Sequence, residues 1–106
     1  MTALRESEAD FMRTVTELAE LFGWSWVHFR PARTAHGWRT PVSGPMGTGW
    51  PDLLMVRGKR LIVAELKRDG GKPTPEQVRV LDLLGVAAEA YVWRPADWSA
   101  VEAALR

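Results

Sequence analysis

The chain has 106 residues, 46% of them hydrophobic, and a formal net charge of +1, and it contains no cysteine. This length excludes an enzyme with a separate cofactor domain, and the absence of cysteine excludes disulfides, thiolate metal sites and cysteine nucleophiles. No apolar run approaches the roughly 20 residues that span a bilayer. We therefore expect one cytoplasmic domain over 1–106, with neither a membrane nor a nucleotide cofactor among its partners.

The hydrophobic pattern predicts an α/β domain with seven elements in the order αβββαβα. The expected elements are a helix over 5–22, strands over 24–30, 52–56 and 60–67, a helix over 75–84, a strand over 90–94 and a final helix capped by Asp97. Residues 31–50 carry three prolines and four glycines and are predicted to form a long loop. Gly58 suits a hairpin turn, and the stretch from 60–67 to 90–94 has the length of a crossover between parallel strands.

The first helix carries one acidic residue on its apolar stripe. Glu8 lies at helical spacing with the apolar residues Leu4, Phe11, Val15, Leu18 and Phe22. A carboxylate in the core is costly unless it is paired, bound to a ligand or close to the rim. Pairing with Arg5, or with backbone near the helix start, is the alternative to a functional role.

Three charged residues are predicted to meet at one end of the hairpin. Glu65 and Lys67 share a face of the strand 60–67 because strand side chains alternate, and Asp52 begins the partner strand at the same end. Two carboxylates beside a lysine suit a hard divalent cation such as Mg²⁺, which prefers oxygen ligands and keeps sites for water and phosphate. Two strand-end ion pairs are the structural alternative.

The sequence resembles a known nuclease family at several points. Pro51-Asp52, followed after twelve residues by Glu65-Leu66-Lys67, resembles the PD-(D/E)xK nuclease superfamily. The segments SEADFMRTVTELAELFGW, GWPDLLMV, LIVAELK, PTPEQ and YVWRPADW are similar to its VRR-NUC branch and cover nearly the whole chain. The resemblance implies a restriction-endonuclease-like core, in which helices flank a mixed β-sheet.

The resemblance also implies roles for individual residues. Asp52 and Glu65 would bind Mg²⁺ or Mn²⁺ with the Leu66 carbonyl as a third ligand, and the first-helix acid Glu8 would also help to hold the metal. Lys67 would be the catalytic lysine, and Gln77 would face the active site. For Gln77 the alternative is a capping box with Thr74, in which Pro75 is the first helical residue.

Basic residues are concentrated in the middle of the chain, where positions 21–72 hold nine basic and three acidic groups. This excess suits a phosphate backbone, although charges also cluster by chance in loops. The expected DNA-binding residues are His28, Arg30, Arg33, Arg39 and Lys72. A solvated loop is the alternative for the arginines, and a packed, hydrogen-bonded side chain is the alternative for His28. Trp38 and Trp50 lie in the predicted loop. Stacking on unpaired bases and burial in the protein are the two alternatives for these residues.

Together these features predict a metal-dependent endodeoxyribonuclease. The resemblance implies a homodimer that acts on branched DNA such as four-way (Holliday) junctions. One alternative is a nuclease with another target, such as a flap, an end or a defined site. A second is a non-catalytic DNA-binding or accessory module, and a third is a structural protein whose acids pair with Lys67 and Arg68.

Overall fold

The computed structural model describes residues 7–29, 32–35, 37–39 and 42–106. In these ranges the chain forms a compact α/β fold with three helices, a four-stranded mixed sheet and a separate two-stranded ribbon. The elements are α1 (Glu8–Leu21), β1 (Ser25–His28), β2 (Ala32–Thr34), β3 (Gly37–Arg39), β4 (Leu53–Arg57), β5 (Arg60–Leu66), α2 (Pro75–Leu84), β6 (Glu89–Trp93) and α3 (Trp98–Leu105). No helix within the described ranges is long and apolar enough to cross a bilayer.

The main sheet has the strand order β1-β4-β5-β6. Strand β4 pairs antiparallel with both β1 and β5, whereas β6 pairs parallel with β5 after the α2 crossover. For the three helices and the four strands of the main sheet, this arrangement confirms the predicted order, the hairpin and the parallel connection. Leu53 lies opposite Ala64 in the hairpin register, so Asp52 and Glu65 come next to each other one step beyond the last strand pair.

The predicted loop over 31–50 contains more structure than its composition indicated, and this prediction was wrong in part. Strands β2 and β3 form an antiparallel ribbon, and Gly47–Gly49 form a short 3-10 turn. Gly37 is the first residue of β3 and has a φ of +98°, a conformation that glycine adopts at little cost. Prolines and glycines marked the turns correctly, but the three-residue strands between them were too short to give a period-two pattern.

Helices α1 and α3 cover one face of the sheet with the main apolar core. Phe11 and Val15 of α1 pack there with residues of β4 and β5 and with Val101 and Leu105 of α3. On the opposite face, α2 contacts β5 and β6, and Val63 and Val80 are buried. Coverage on both faces explains why Ile62, Val63, Ala64, Glu65 and Leu66 are all buried along β5.

The buried face of α1 differs from the predicted stripe. Its buried residues are Phe11, Met12, Val15, Thr16 and Ala19, whereas Leu18 and Phe22 are only partly buried and Leu4 lies outside the described residues. Thr16 can be buried because its hydroxyl donates to the backbone carbonyl oxygen of Met12 at 3.0 Å. The described helix also starts later than predicted, with Ser7 as its N-cap.

Two caps were predicted, and the structure confirms one of them. The Thr74 hydroxyl accepts from the Gln77 backbone N–H at 3.2 Å, and the Gln77 side-chain oxygen accepts from the Thr74 N–H at 2.8 Å. Asp97 precedes α3 but makes no side-chain cap to it. Its carboxylate instead accepts from the Arg94 N–H at 3.0 Å, because a 3-10 turn over Pro95–Asp97 comes between the strand and the helix.

Gly49 brings the segment that leads to Asp52 against the start of α2. A Cβ at this position would lie 2.2 Å from the Glu76 carbonyl oxygen, so the backbone would have to move. We expect Gly49→Ala to lower the free energy of unfolding by about 1–3 kcal/mol, as overpacked sites do. Urea denaturation measures this change. Gly47→Ala is the matched control because its Cβ would meet only ordinary contacts at 3.5 Å; equal losses for the two variants would contradict the expectation.

Candidate active site

Asp52 and Glu65 meet where β4 begins and β5 ends. The Leu66 backbone N–H donates to Asp52 Oδ2 at 2.9 Å, which fixes the carboxylate against β5. The Phe29 N–H donates to the Asp52 carbonyl oxygen at 2.9 Å and ties the same residue to the end of β1. Pro51 is fully buried just before it. Asp52 is therefore held from both neighbouring strands, at its carboxylate by β5 and at its backbone by the end of β1.

Glu65 is a buried acid with an incomplete set of hydrogen bonds. It is only 2% exposed, and its Oε2 has no hydrogen-bond partner in the described part of the chain. Burial raises the pKa of Glu65 to about 9, helped by the hydrogen bond to Asp52 and by the charge of Asp52. At neutral pH the Asp52–Glu65 pair therefore keeps one proton, which the two carboxyl groups share.

Lys67 and Glu8 also act on this acid through their charges. The Lys67 ammonium lowers the pKa of Glu65, whereas the Glu8 carboxylate raises it, both less strongly than burial and Asp52 do. Lys67 is half-buried just beyond β5, where its backbone N–H donates to the Trp93 carbonyl oxygen at 2.9 Å. None of the ion pairs found among the described residues joins Lys67 or Arg68 to Asp52 or Glu65. This observation removes the support for a purely structural pair of salt bridges.

A small cavity opens beside Asp52. It has a volume of about 290 Å³ and is lined by residues of α1, the end of β1 and the hairpin. Glu8 and His28 line it together with Asp52 and Leu66. Glu8 is exposed in the first turn of α1, so its carboxylate remains hydrated at the rim rather than in the core. The structure thus brings Glu8, His28, Asp52 and Glu65 to one region.

The donor set fits a hard cation at the two strand residues. Among the described residues no three His, Cys, Asp or Glu side chains form a metal-binding group. Glu8 is therefore not grouped with Asp52 and Glu65 as a third side-chain ligand. A cation here would be held by Asp52 and Glu65, and any further ligand would be a backbone oxygen, such as that of Leu66, or water. A cation at this point would give the unpartnered Oε2 of Glu65 a partner. It would also replace the proton that Glu65 shares with Asp52.

The structure describes the remaining predicted site residues only in part. The Gln77 side chain is engaged in the capping box of α2, which supports the alternative interpretation of this residue. Lys72 is exposed in the loop between β5 and α2. The backbones of Arg33 and Arg39 pair with residues of the opposite strand in the β2–β3 ribbon, and Arg30 lies outside the described residues. Their proposed contacts with DNA stay predictions.

Two features near the site were missed in the sequence. Phe29 and Trp50 flank Asp52 and meet edge to face, with ring centroids 5.6 Å apart. Arg94 Nε donates to the Gly71 carbonyl oxygen at 2.8 Å and holds the loop that follows Lys67. Trp50 lies two positions before Asp52, which was a signal for the first feature. Nothing in the sequence connected Arg94 with Gly71.

Comparison with known proteins found no match to the chain among protein families, curated proteins or solved structures.

Proposed function

We propose that this protein is a metal-dependent endodeoxyribonuclease with a restriction-endonuclease-like core of the VRR-NUC type. The observation that supports this proposal best is the contact between Asp52 and Glu65, in which one buried carboxylate oxygen has no hydrogen-bond partner among the described residues. A protein that only binds DNA gains nothing from acids that face a polyanion. A metal-dependent hydrolase needs such acids to hold its cation.

Each residue of the site has a separate task in phosphodiester hydrolysis. Asp52 and Glu65 would hold Mg²⁺ or Mn²⁺, and the hydrogen bond from Leu66 keeps Asp52 oriented for this purpose. The bound cation would supply a water of lowered pKa and would offset charge on the phosphate. Lys67 places a positive charge next to the pair, where it can orient the nucleophile and stabilise the developing negative charge. Glu8 and His28 line the cavity that the phosphate would enter.

The target that we propose is branched DNA, including four-way junctions, cut by a homodimer. Two copies would supply one site for each of two strands, and two-fold symmetry is the commonest arrangement of homo-oligomers. Contacts to phosphate and to DNA shape suit a domain of this size better than sequence reading does. Arg30, Arg33, Arg39 and Lys72 are the candidate phosphate contacts.

Cleavage of four labelled DNAs tests the proposal. Junction, flap, linear duplex and single-stranded substrates are incubated with the protein in Mg²⁺, in Mn²⁺ and in EDTA. We expect metal-dependent cutting that is fastest on the junction. Cutting of another substrate at a higher rate would change the target, and no cutting of any substrate at high protein concentration would contradict the nuclease.

Lys67→Met tests the assignment of the catalytic lysine. We expect kcat to fall by about 10²-fold, as it does when one group that stabilises transition-state charge is removed. The affinity for Mn²⁺ should be retained because both carboxylates remain. Lys59→Met is the matched control, since Lys59 is exposed at the opposite end of the same hairpin. Equal rates for the two variants would show that Lys67 has no special role.

A further inference from the structure

An apolar cleft lies directly beside the candidate active site. Its volume is about 430 Å³, and it is lined by Phe29 and Trp50 together with Val42, Pro45 and Met46. This volume falls within the roughly 300–1,000 Å³ that is typical of pockets for small ligands. Phe29 also lines the cavity that contains Asp52. The two cavities therefore share one aromatic wall.

The cleft is held in place by contacts with α2. The Arg79 guanidinium donates to the Pro45 carbonyl oxygen at 2.8 Å, and Gly49 packs against the Glu76 backbone. The edge-to-face contact between Phe29 and Trp50 fixes the rings relative to each other. A ligand would therefore meet a preformed surface and would not have to order it on binding.

The lining of the cleft indicates what it can bind. Phe29 and Trp50 contribute aromatic surface, and Val42, Pro45 and Met46 contribute apolar surface. An aromatic and apolar lining suits the flat face of a heterocycle, and a nucleobase is such a group.

We propose that this cleft binds one unpaired base of the DNA next to the bond that is cut. The proposal rests on the nuclease function above and names the part of the substrate that the protein holds. Trp50 precedes Asp52 by two residues, and Phe29 donates its backbone N–H to the Asp52 carbonyl. A base in the cleft would thus place its own phosphate close to the two carboxyl groups. Branched DNA supplies bases that are readily unpaired at the branch point.

Two altered substrates distinguish the effect of binding the base from the free-energy cost of breaking its base pair. One carries a mismatched base, and the other an abasic analogue, at the same position close to the cut. Both remove the base pair, but only the mismatch leaves a base that can enter the cleft. At one position we expect the wild type to cut the mismatched DNA with a kcat/KM on the order of tenfold above that for the abasic DNA, as aromatic stacking of one base provides. At the neighbouring positions the ratio should be close to one.

Protein variants test whether the cleft causes this ratio of cleavage rates. Trp50→Leu keeps apolar packing but removes the aromatic face, and Val42→Phe narrows the cleft from its rim without altering Trp50. Either variant should bring the ratio close to one. Tyr91→Leu is the matched control, because this aromatic residue stacks on Trp93 and lines a different cavity; it should keep the wild-type ratio.

The outcomes distinguish this inference from the proposed function. Wild-type protein that cuts DNA with a ratio close to one at every position would overturn the base-binding cleft and leave the nuclease intact. A ratio that persists in both Trp50→Leu and Val42→Phe would place the base elsewhere and would also overturn the inference. Protein that cuts no DNA would overturn both proposals together.

Discussion

Glu65→Gln is expected to lower Mg²⁺-dependent DNA cleavage by about 10³-fold or more. Glutamine has nearly the same shape and can donate to Asp52 as the protonated acid does, but it cannot ionise to hold a cation. Loss of one of two carboxylate ligands removes several kcal/mol of transition-state stabilisation, and each 1.4 kcal/mol is about tenfold in rate. Single-turnover cleavage of a labelled junction measures the effect.

The matched control for this experiment is Glu17→Gln. Glu17 is exposed on α1, so its replacement makes the same chemical change away from the carboxylate pair. We expect this control to cut at the wild-type rate. Cleavage by Glu65→Gln at the rate of the control would mean that Glu65 binds no catalytic metal.

The same variant should gain stability while it loses activity. The pKa of Glu65 is raised to about 9 in the folded protein, whereas an acid in the unfolded chain titrates near 4.3. Between these values the folded state binds more protons than the unfolded state, so the free energy of unfolding falls as pH rises. Glutamine has no such titration. At about 1.4 kcal/mol per pH unit, Glu65→Gln should be more stable than the wild type by about 2–5 kcal/mol at pH 8, and by much less at pH 5.

Glu89→Gln provides a control of opposite sign. Its hydrogen bonds with Arg60, at 2.9 and 2.7 Å, lower the pKa of Glu89. The ionised form is therefore stabilised by folding, and this stability is present above the unfolded pKa and lost as pH falls. Glu89→Gln should be less stable than the wild type at pH 8. Urea denaturation without divalent cations at pH 5 and pH 8 measures the free energy of unfolding of the wild type, Glu65→Gln and Glu89→Gln. Equal pH dependence of the wild type and Glu65→Gln would contradict the raised pKa of Glu65.

Local sequence signals predicted much of the fold. The Thr74 and Gln77 capping box and the turn at Gly58 depend on residues within a few positions of each other, and both were predicted correctly. The hairpin turn sets the register, and the register brings Asp52 opposite Glu65. For this reason the contact at the centre of the candidate site could be predicted from the sequence alone.

The features that were missed depend on contacts between distant segments. The approach of Gly49 to Glu76, the pairing of Phe29 with Trp50, and the bond from Arg94 to Gly71 each join parts of the chain that no local pattern connects. The unpartnered oxygen of Glu65 is of the same kind. The sequence placed this acid at a strand end, but its burial results from packing on both faces of the sheet.

Calorimetric titration with Mn²⁺ at pH 7 tests the central claim most directly. Because the Asp52–Glu65 pair holds one proton in the metal-free protein, a cation held by both carboxylates must displace that proton. Titrations in two buffers with different ionisation enthalpies count the protons that are released. We predict saturable binding with about one proton released per site, and loss of that release in Glu65→Gln. Absence of saturable binding, or binding without proton release, would contradict a metal site at Asp52 and Glu65.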